Sequence, residues 1–459
     1  MAIGPSDVHA SLRQHMLVDG FDFVIDLDKS QGNRFHDSRS GRDIMDFFTC
    51  FSSLAIGWNH PELKAVEAEL GRVAVNNVAN SDLYTVEMAK AVETISSIAM
   101  PTDMNNLFMV AGGALAVENA LKVSMDWKMN DRRSKGLYDD SNRHDNHAFC
   151  WSAERRESNK LSIGHFREAF HGRTGYTMSL TNTDPIKTND FSKFDWPRFH
   201  NPTIRFPLDA EEAARLDEFE ERTIESIVQA AAETPESIAS IIIEPIQAEG
   251  GDNHFRPTFM KRLSDTCRDI GALFILDEVQ TGVGSTGKMW AYQHTEAQPD
   301  IIAFGKKMQV CGIMATDKVK EFDDNPFHTS SRINSTWGGN LVDMVRSAKQ
   351  LEVIENERLV NNAARRGEEL MSGLNDLSKQ FDMISNVRGQ GLMTAFTLPD
   401  MNIRDSLRNI IFEGGAHVLN SGFTSIRLRP SLTISSDEID EALNIFESAA
   451  KRLQASIIV

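Results

Sequence analysis

Short apolar segments alternate with helical patterns through the middle of this chain, and this alternation constrains the fold more than any other feature. Apolar runs of strand length occupy Ile238–Ile243, where Ser240 is the one polar residue, residues 272–276 and Ile301–Phe304. Helical patterns cover residues 116–128 and residues 257–270, where the apolar side chains fall on one face. Strands that alternate with helices form βα units, which build mostly parallel sheets. The sequence therefore predicts an α/β fold.

Beyond residue 340 the pattern predicts a second, smaller α/β region. The segments that carry its helix and strand patterns are residues 341–355, 391–397, 405–413 and 425–429. A last helix is predicted from Glu438, because Ser435-Ser-Asp-Glu438 matches a capping box. The most polar stretch, residues 130–146, is predicted to be a solvated loop.

Charge and composition exclude several classes of protein. The chain carries 66 acidic against 48 basic residues, a net charge of −18, and such a surface repels the phosphates of nucleic acids. No apolar run is long enough for a membrane span. The amino terminus lacks the features of a secretory signal, and the four cysteines lie too far apart for a disulfide framework or a zinc site. We therefore expect a cytoplasmic protein without a metal site.

A glycine-rich segment, Thr281-Gly-Val-Gly-Ser-Thr-Gly-Lys288, matches two nucleotide-binding patterns at once. It fits both G-x-G-x-x-G and G-x-x-x-x-G-K. However, Met289 follows where a phosphate loop needs Ser or Thr to hold magnesium, and residues 278–281 separate the glycines from the preceding strand. A simple glycine turn is therefore the favoured interpretation.

Three features, taken in chain order, suit one cofactor together. Residues 112–114, Gly-Gly-Ala, precede a predicted helix; Asp277 ends a strand, with Gln280 nearby; and Lys306 follows the next strand. Each alone has an ordinary explanation as a turn, a cap or a solvated amine. Together they match pyridoxal phosphate, which needs a helix start for its phosphate, a carboxylate for its pyridine nitrogen and an amine for its aldehyde.

Eight segments resemble the class III (omega) aminotransferases, and the resemblance extends from Asp19 to Ser435. The segments are Gly112-Gly-Ala-Leu-Ala-Val-Glu-Asn-Ala-Leu-Lys122, Ala169-Phe-His-Gly-Arg-Thr-Gly-Tyr176, Phe194-Asp-Trp-Pro197, Glu244-Pro-Ile-Gln-Ala-Glu-Gly-Gly-Asp252, Leu276-Asp-Glu-Val-Gln-Thr-Gly282, Phe304-Gly-Lys-Lys307, Ser335-Thr-Trp-Gly-Gly-Asn340 and Ile426-Arg-Leu-Arg-Pro-Ser-Leu432. The resemblance implies the fold type I of pyridoxal phosphate-dependent transferases. It also implies a large cofactor-binding domain at residues 60–330 and a small α/β domain made from residues 1–59 and 331–459.

The resemblance implies a role for each cofactor-binding residue. Lys306 would bind the aldehyde covalently and then move a proton, with Lys307 as a rival. Asp277 would keep the pyridine nitrogen protonated, because a nearby anion favours the cationic form. The remaining implied contacts are the backbone N–H groups of Gly113 and Ala114 to the phosphate, Gln280 to the ring oxygen, Phe170 stacked on the ring, Glu244 in the surrounding hydrogen bonds, and Thr336 of a second copy to the phosphate.

The resemblance implies that two different substrates, lysine and 2-oxoglutarate, bind in turn beside the cofactor. Lysine enters with an ε-amine whose carbon bears no carboxylate, whereas 2-oxoglutarate carries a carboxylate beside its reacting carbon. An arginine needed only by the second substrate would face the first as an unpaired charge, which is costly in a partly buried site. The resemblance implies that Arg427 is this arginine, with Arg429 as a rival, and that Glu249 is its removable partner. Arg173 would bind the far carboxylate of both substrates.

The segments around residues 305 and 335 favour those members of the family that act on lysine. The implied reaction transfers the ε-amino group of L-lysine to 2-oxoglutarate, giving L-glutamate and 2-aminoadipate 6-semialdehyde, which cyclises to piperideine-6-carboxylate. A shared phosphate site implies a homodimer. Two alternatives stay open: another ω-aminotransferase that acts on 4-aminobutyrate or ornithine, and a non-catalytic relative with a regulatory role.

Overall fold

A computed structural model describes residues 3–137 and 160–457 of the chain. The end of the polar stretch, residues 138–146, lies outside these described residues. The chain divides into two compact units. The larger unit comprises Leu70–Gly284 and Lys288–Glu352, and the smaller unit comprises Met1–Glu69, Ser285–Gly287 and Val353–Val459. The domain boundaries inferred from the sequence stay predictions.

Strands and helices alternate through most of the described chain. The strands are β1 (Ile25–Gln31), β2 (Arg34–Asp37), β3 (Arg42–Asp46), β4 (Met104–Val110), β5 (Ser162–Phe166), β6 (Arg198–Phe199), β7 (Ile238–Ile243), β8 (Ile246–Gln247), β9 (Asn253–His254), β10 (Leu273–Asp277), β11 (Ile301–Phe304), β12 (Cys311–Thr316), β13 (Ser385–Gln390), β14 (Met393–Thr397), β15 (Ala416–His417), β16 (Leu419–Ser421) and β17 (Ser425–Leu428). The helices are α1 (Val8–Leu12), α2 (Pro61–Lys64), α3 (Glu67–Ala74), α4 (Val86–Ile98), α5 (Gly113–Ser134), α6 (Gly175–Leu180), α7 (Ala210–Glu233), α8 (Pro257–Asp269), α9 (Leu341–Asn356), α10 (Leu359–Gln380), α11 (Met401–Gly414) and α12 (Ser436–Ile457). Thr49–Ser52 form one turn in which every residue has a positive φ.

The larger unit is built on a seven-stranded sheet with the order β4-β12-β11-β10-β7-β5-β6. The strands from β11 to β6 pair in parallel, whereas β12 pairs antiparallel with both β11 and β4. Two successive antiparallel pairings leave β4 running in the same direction as β11. The sheet is therefore mixed but mostly parallel, which confirms the α/β prediction. The carboxyl ends of β4, β11, β10, β7 and β5 all lie at one edge.

Helices cover both faces of this sheet. Alternate residues of β7 and β10 point to opposite faces, as the period of a strand requires. Ile242 and Ile275 pack with apolar residues of α5 on one face. Ile241 and Phe274 pack with α7 and α8 on the other. Burial on both faces explains why the strands read as almost entirely apolar runs in the sequence.

Helix α5 (Gly113–Ser134) is longer at both ends than the predicted residues 116–128. The prediction of a loop from residue 130 is wrong for residues 130–134, which are helical. A tertiary contact explains the difference. Lys128 is fully buried, and its ammonium donates to the Gly271 carbonyl at 2.8 Å. A polar helix end with buried partners cannot be distinguished from a loop by hydrophobic pattern alone.

The smaller unit contains two four-stranded sheets, β1-β2-β3-β15 and β13-β14-β17-β16. Its last helix, α12, begins with the predicted capping box. The Ser435 N–H donates to Glu438 Oε2 at 2.9 Å, and the Glu438 N–H donates to Ser435 Oγ at 3.3 Å. This confirms the predicted capping box, and the helix begins at Ser436, two residues before the predicted Glu438. Among residues 3–137 and 160–457, no helix combines the length and the apolar content that crossing a bilayer requires.

The first glycine of the glycine-rich segment allows a close packing contact with Trp290. Trp290 is fully buried, and its indole N–H donates to the Ala99 carbonyl at 2.6 Å. A Cβ added to Gly282 would overlap the Trp290 ring and lie 2.9 Å from the Glu278 carbonyl oxygen. Packing therefore accounts for a glycine at this position without a bound nucleotide.

Gly282→Ala is expected to lower the free energy of unfolding by about 1–3 kcal/mol, because the added methyl group overpacks the Trp290 contact. Thermal unfolding followed by circular dichroism would measure the loss. Gly71→Ala is the matched control, since nothing lies within 4 Å of a Cβ added there in α3. We expect the control to be neutral or slightly stabilising. Equal stability of the two variants would contradict this account of Gly282.

Candidate active site

The predicted cofactor residues of the larger unit meet at one edge of the seven-stranded sheet. Asp277 is the last residue of β10, Glu244 directly follows β7, and Lys306 follows β11. β5 leads into the loop that carries Phe170, and β4 leads into the turn before α5. Because these strands share one direction, their carboxyl ends bring the loops together, where ligands bind in open α/β sheets.

Asp277 is buried and is held by two neighbours. Its Oδ2 lies 2.7 Å from Nδ1 of His171, and its Oδ1 accepts from the Val279 N–H at 3.1 Å. The His171 side chain is fully buried. Its other ring nitrogen, Nε2, has no hydrogen-bond partner within the part of the chain that the structure describes. These contacts fix the direction of the carboxylate.

Glu244 lies close to this pair, buried at the end of β7. Its carboxylate accepts from the Phe170 N–H at 2.9 Å and from the Ala248 N–H at 3.3 Å. Burial raises the pKa of Glu244 to about 7; His171 opposes this shift and the charge of Asp277 adds to it. Glu244 therefore anchors the backbone at Phe170. Its predicted place in the hydrogen bonds around the cofactor stays a prediction.

The two adjacent lysines after β11 have different surroundings. Lys307 is buried, and its ammonium donates to the Gln280 carbonyl at 2.8 Å. Lys306 is half-buried and has a left-handed backbone with a φ of 49°. A non-glycine residue in this region typically costs ~1–3 kcal/mol, and such strain is concentrated at functional sites. The geometry therefore favours Lys306 over Lys307 as the reacting amine.

The Val279 side chain lies between the start of α5 and the turn before Lys306. A Cβ added to Gly113 would lie 2.9 Å from Val279 Cγ1, and one added to Gly305 would lie 3.4 Å from the same atom. The start of α5 and the turn before Lys306 thus closely approach the turn that follows Asp277. The first N–H groups of a helix have no intrahelical partner and carry the positive end of its dipole. The start of α5 therefore suits a phosphate group.

The other predicted residues of the larger unit lie on its loops. Gln280 and Phe170 are half-buried, whereas Arg173 and Thr336 are exposed. The Thr336 carbonyl accepts from the Ser81 hydroxyl at 3.1 Å. The exposure of Thr336 is consistent with its predicted contact to a second copy of the chain, and the roles of all four residues stay predictions.

Glu249 forms an ion pair that the sequence did not predict. The ammonium of Lys187 lies 2.7 Å from Glu249 Oε1. The same ammonium lies 5.5 Å from the centroid of the Phe170 ring. Lys187 therefore links Glu249 to the loop that carries the predicted stacking residue.

Arg427 belongs to the smaller unit, where it is buried in β17. Arg429 follows this strand, and its guanidinium donates to the carbonyls of Thr394 at 3.3 Å and Leu428 at 2.8 Å. These backbone hydrogen bonds give Arg429 a structural role within its own unit. They favour Arg427 over Arg429 as the substrate arginine, and that role stays a prediction.

Sequence reasoning missed two residues of this region, His171 and Lys187. The sequence contained a signal for His171, because it lies next to Phe170 within a family segment. A histidine there can hydrogen-bond a buried carboxylate. Lys187 gave no signal, because it stands alone in a polar loop and its partner lies far along the chain.

The donor set fits pyridoxal phosphate. The site offers a partly exposed amine at Lys306, a buried carboxylate whose direction His171 fixes, and a helix start suited to an anion. These are the groups that the cofactor's aldehyde, pyridine nitrogen and phosphate require.

Comparison with known proteins agrees with this arrangement. A family model described as aminotransferase class-III matches residues 18–450. A protein named L-lysine-epsilon aminotransferase from Mycobacterium bovis is 45% identical over 452 residues, which cover 97% of this chain and 95% of that protein. A protein of the same name from Streptomyces clavuligerus is 42% identical over 456 residues, which cover 98% and 95%.

A solved structure agrees as well. Lysine aminotransferase from M. tuberculosis, in its internal aldimine form, is 44% identical and has a TM-score of 0.91, covering 98% of this chain and 100% of that chain. The family inferred from the sequence is thereby confirmed. The chain belongs to the class III aminotransferases and is a pyridoxal phosphate-dependent transaminase.

Proposed function

We propose that the protein transfers the ε-amino group of L-lysine to 2-oxoglutarate and releases L-glutamate and 2-aminoadipate 6-semialdehyde, which cyclises to piperideine-6-carboxylate. The observation that carries the proposal is the convergence of Lys306, Asp277 and the start of α5 at one sheet edge. The relatives named for the ε-amino group of lysine are similar over nearly the whole chain, which supports lysine as the donor.

Pyridoxal phosphate, when bound, supplies an electron-accepting ring that stabilises negative charge at the reacting carbon. Lys306 would hold the cofactor covalently between turnovers, and its released Nζ would take and return the substrate proton. Asp277 would present a fixed negative charge to the ring nitrogen, because His171 orients the carboxylate. The N–H groups of Gly113 and Ala114 would bind the phosphate, Phe170 would stack on the ring and Gln280 would bond its oxygen.

Substrate recognition would depend on two arginines and one carboxylate. Arg173 would bind the carboxylate that both substrates carry far from the reacting carbon, through a bidentate pair. Arg427 would bind the second carboxylate of 2-oxoglutarate. Glu249 would neutralise Arg427 while lysine is bound, because an unpaired buried charge is costly.

A comparison of amine donors tests this proposal. Purified protein with added pyridoxal phosphate and 2-oxoglutarate should form glutamate fastest with lysine, and more slowly with ornithine or 4-aminobutyrate. Parallel lines in double-reciprocal plots would report the ping-pong kinetics expected of two half-reactions. A strong preference for ornithine or 4-aminobutyrate would overturn lysine as the donor. Failure to form both glutamate and the cyclic imine from lysine would overturn the reaction.

The same proposal includes assembly as a homodimer in the cytoplasm. Thr336 of one copy would reach the phosphate bound by the other, which would make each site depend on both copies. Mixing two impaired variants, Lys306→Ala, which lacks the reacting amine, and Thr336→Ala, which is expected to bind the phosphate more weakly, would test the sharing. Partial recovery of activity after subunit exchange supports it, and no recovery despite proven exchange contradicts it.

A further inference from the structure

Lys187 is a charged residue of this region that the proposed mechanism does not use. It ends a short 3-10 turn, Pro185–Lys187, which Asp184 caps by accepting from the Ile186 N–H at 3.1 Å. Its ammonium lies 2.7 Å from Glu249 Oε1 and 3.4 Å from the Thr183 hydroxyl. The turn therefore presents Lys187 in one direction, toward Glu249.

The pair is partly withdrawn from solvent. The side chains of Lys187 and Glu249 are 16% and 31% exposed, and the ammonium also lies over the Phe170 ring. An ion pair on an open surface is weak because water screens it, whereas a partly buried carboxylate needs a cation nearby. Lys187 can meet this need for Glu249.

The two half-reactions create that need at a defined moment. In the proposed function, Glu249 neutralises Arg427 while lysine is bound and must give up this role when 2-oxoglutarate brings its own carboxylate. A displaced Glu249 without another cation would oppose binding of the second substrate. This repulsion would weaken the binding of the dicarboxylate, 2-oxoglutarate, and would not weaken the binding of lysine.

We propose that Lys187 is a positioning residue that holds the carboxylate of Glu249 whenever the dicarboxylate substrate is bound. The inference rests on the proposed function and deepens it, because it assigns the preference for a dicarboxylate acceptor to the Lys187–Glu249 pair. Lys187 acts through Glu249 and touches neither substrate.

Binding of glutarate, an unreactive dicarboxylate, tests the inference without turnover. Calorimetry on the cofactor-loaded Lys187→Met protein should give a dissociation constant about fivefold higher than in the wild type, the factor that corresponds to ~1 kcal/mol for such a pair. The KM for 2-oxoglutarate should rise by a similar factor, while the KM for lysine stays within about twofold. Lys187→Arg should restore both values.

Two controls separate this role from a general effect of charge or folding. Lys193→Met is the matched control, because the Lys193 ammonium donates to the Thr188 carbonyl at 2.8 Å, and it should leave glutarate binding unchanged. In a Glu249→Gln background, Lys187→Met should have no further effect, since no carboxylate remains to be held.

Several outcomes would overturn the inference. They are an unchanged glutarate affinity in Lys187→Met, an equal loss for lysine and glutarate, or an undiminished loss in the Glu249→Gln background, which would mean that Lys187 attracts the ligand directly. A wild-type protein that binds lysine but not glutarate would overturn the proposed acceptor together with this inference. An unaffected Lys187→Met protein that still forms glutamate would overturn this inference alone.

Discussion

Lys306→Ala is expected to abolish transamination, with a loss of more than about 10⁴-fold in kcat. The substitution removes both the covalent attachment of the cofactor and the proton-transferring amine, and the second effect alone is typically worth about 10²–10⁴-fold. The visible absorption of pyridoxal phosphate bound covalently to the Lys306 side chain should disappear together with the activity. Absorption spectra and single-turnover kinetics of the purified variant would measure both losses.

Lys307→Met is the matched control for this prediction. Lys307 is adjacent, but its ammonium donates to the Gln280 carbonyl, so its loss should loosen that turn and weaken cofactor binding without removing the visible absorption. The opposite pattern, with absorption lost in Lys307→Met and kept in Lys306→Ala, would contradict the assignment of the reacting amine.

Asp277→Asn is expected to lower kcat by about 10²–10⁴-fold, which corresponds to a rise of ~3–5 kcal/mol in the activation free energy. Removing the charge of one partner of a buried ion pair, here the proposed pair of Asp277 with the ring nitrogen, typically costs an energy of this size. The amide keeps the size of the side chain but cannot hold the negative charge that favours a protonated ring nitrogen. The pKa of the pyridine nitrogen of the bound cofactor should fall at the same time, which a spectroscopic pH titration would measure. Steady-state kinetics would give the activity loss.

Asp300→Asn is the matched control for Asp277→Asn. Asp300 is a half-buried carboxylate just before β11, where its Oδ2 accepts from the N–H of Phe274 near the start of β10 at 2.8 Å. Its replacement should lower the free energy of unfolding and leave the pKa of the cofactor's pyridine nitrogen unchanged. If Asp277→Asn retained full activity, or if the two variants lost it equally, the role of Asp277 as the pyridine partner would be wrong.

The central sheet was predictable because its strands are buried on both faces. Ile238–Ile243, with Ser240 as its one polar residue, and Ile301–Phe304 read as apolar runs, and both are strands with the predicted bounds. The end of α5 was not predictable, because Lys128 and Asn130 are polar and become buried through partners elsewhere in the chain, the carbonyls of Gly271 and Asp324. Hydrophobic pattern reports burial only where the buried groups are apolar.

The grouping of the candidate cofactor residues was predictable where a family segment carried them, while their roles stay predictions. The structure brings Asp277, Lys306 and Phe170 to one sheet edge. The contacts that hold Asp277 and Glu249 were less predictable. His171 lies in a family segment, but the sequence does not show that it contacts Asp277, and Lys187 lies outside the family segments. His171 and Lys187 matter through contacts with an aspartate and a glutamate distant in sequence, and a single sequence does not show such pairs.

The most direct test of the proposed reaction is the fate of a labelled nitrogen. Lysine labelled with ¹⁵N at the ε position, incubated with the purified protein, pyridoxal phosphate and 2-oxoglutarate, should yield ¹⁵N-glutamate and an unlabelled cyclic imine by mass spectrometry. Lysine labelled at the α position should yield unlabelled glutamate and a labelled imine. Labelled glutamate from the α-labelled substrate, or no label in glutamate from either substrate, would contradict the proposal that the ε-amino group is the one transferred.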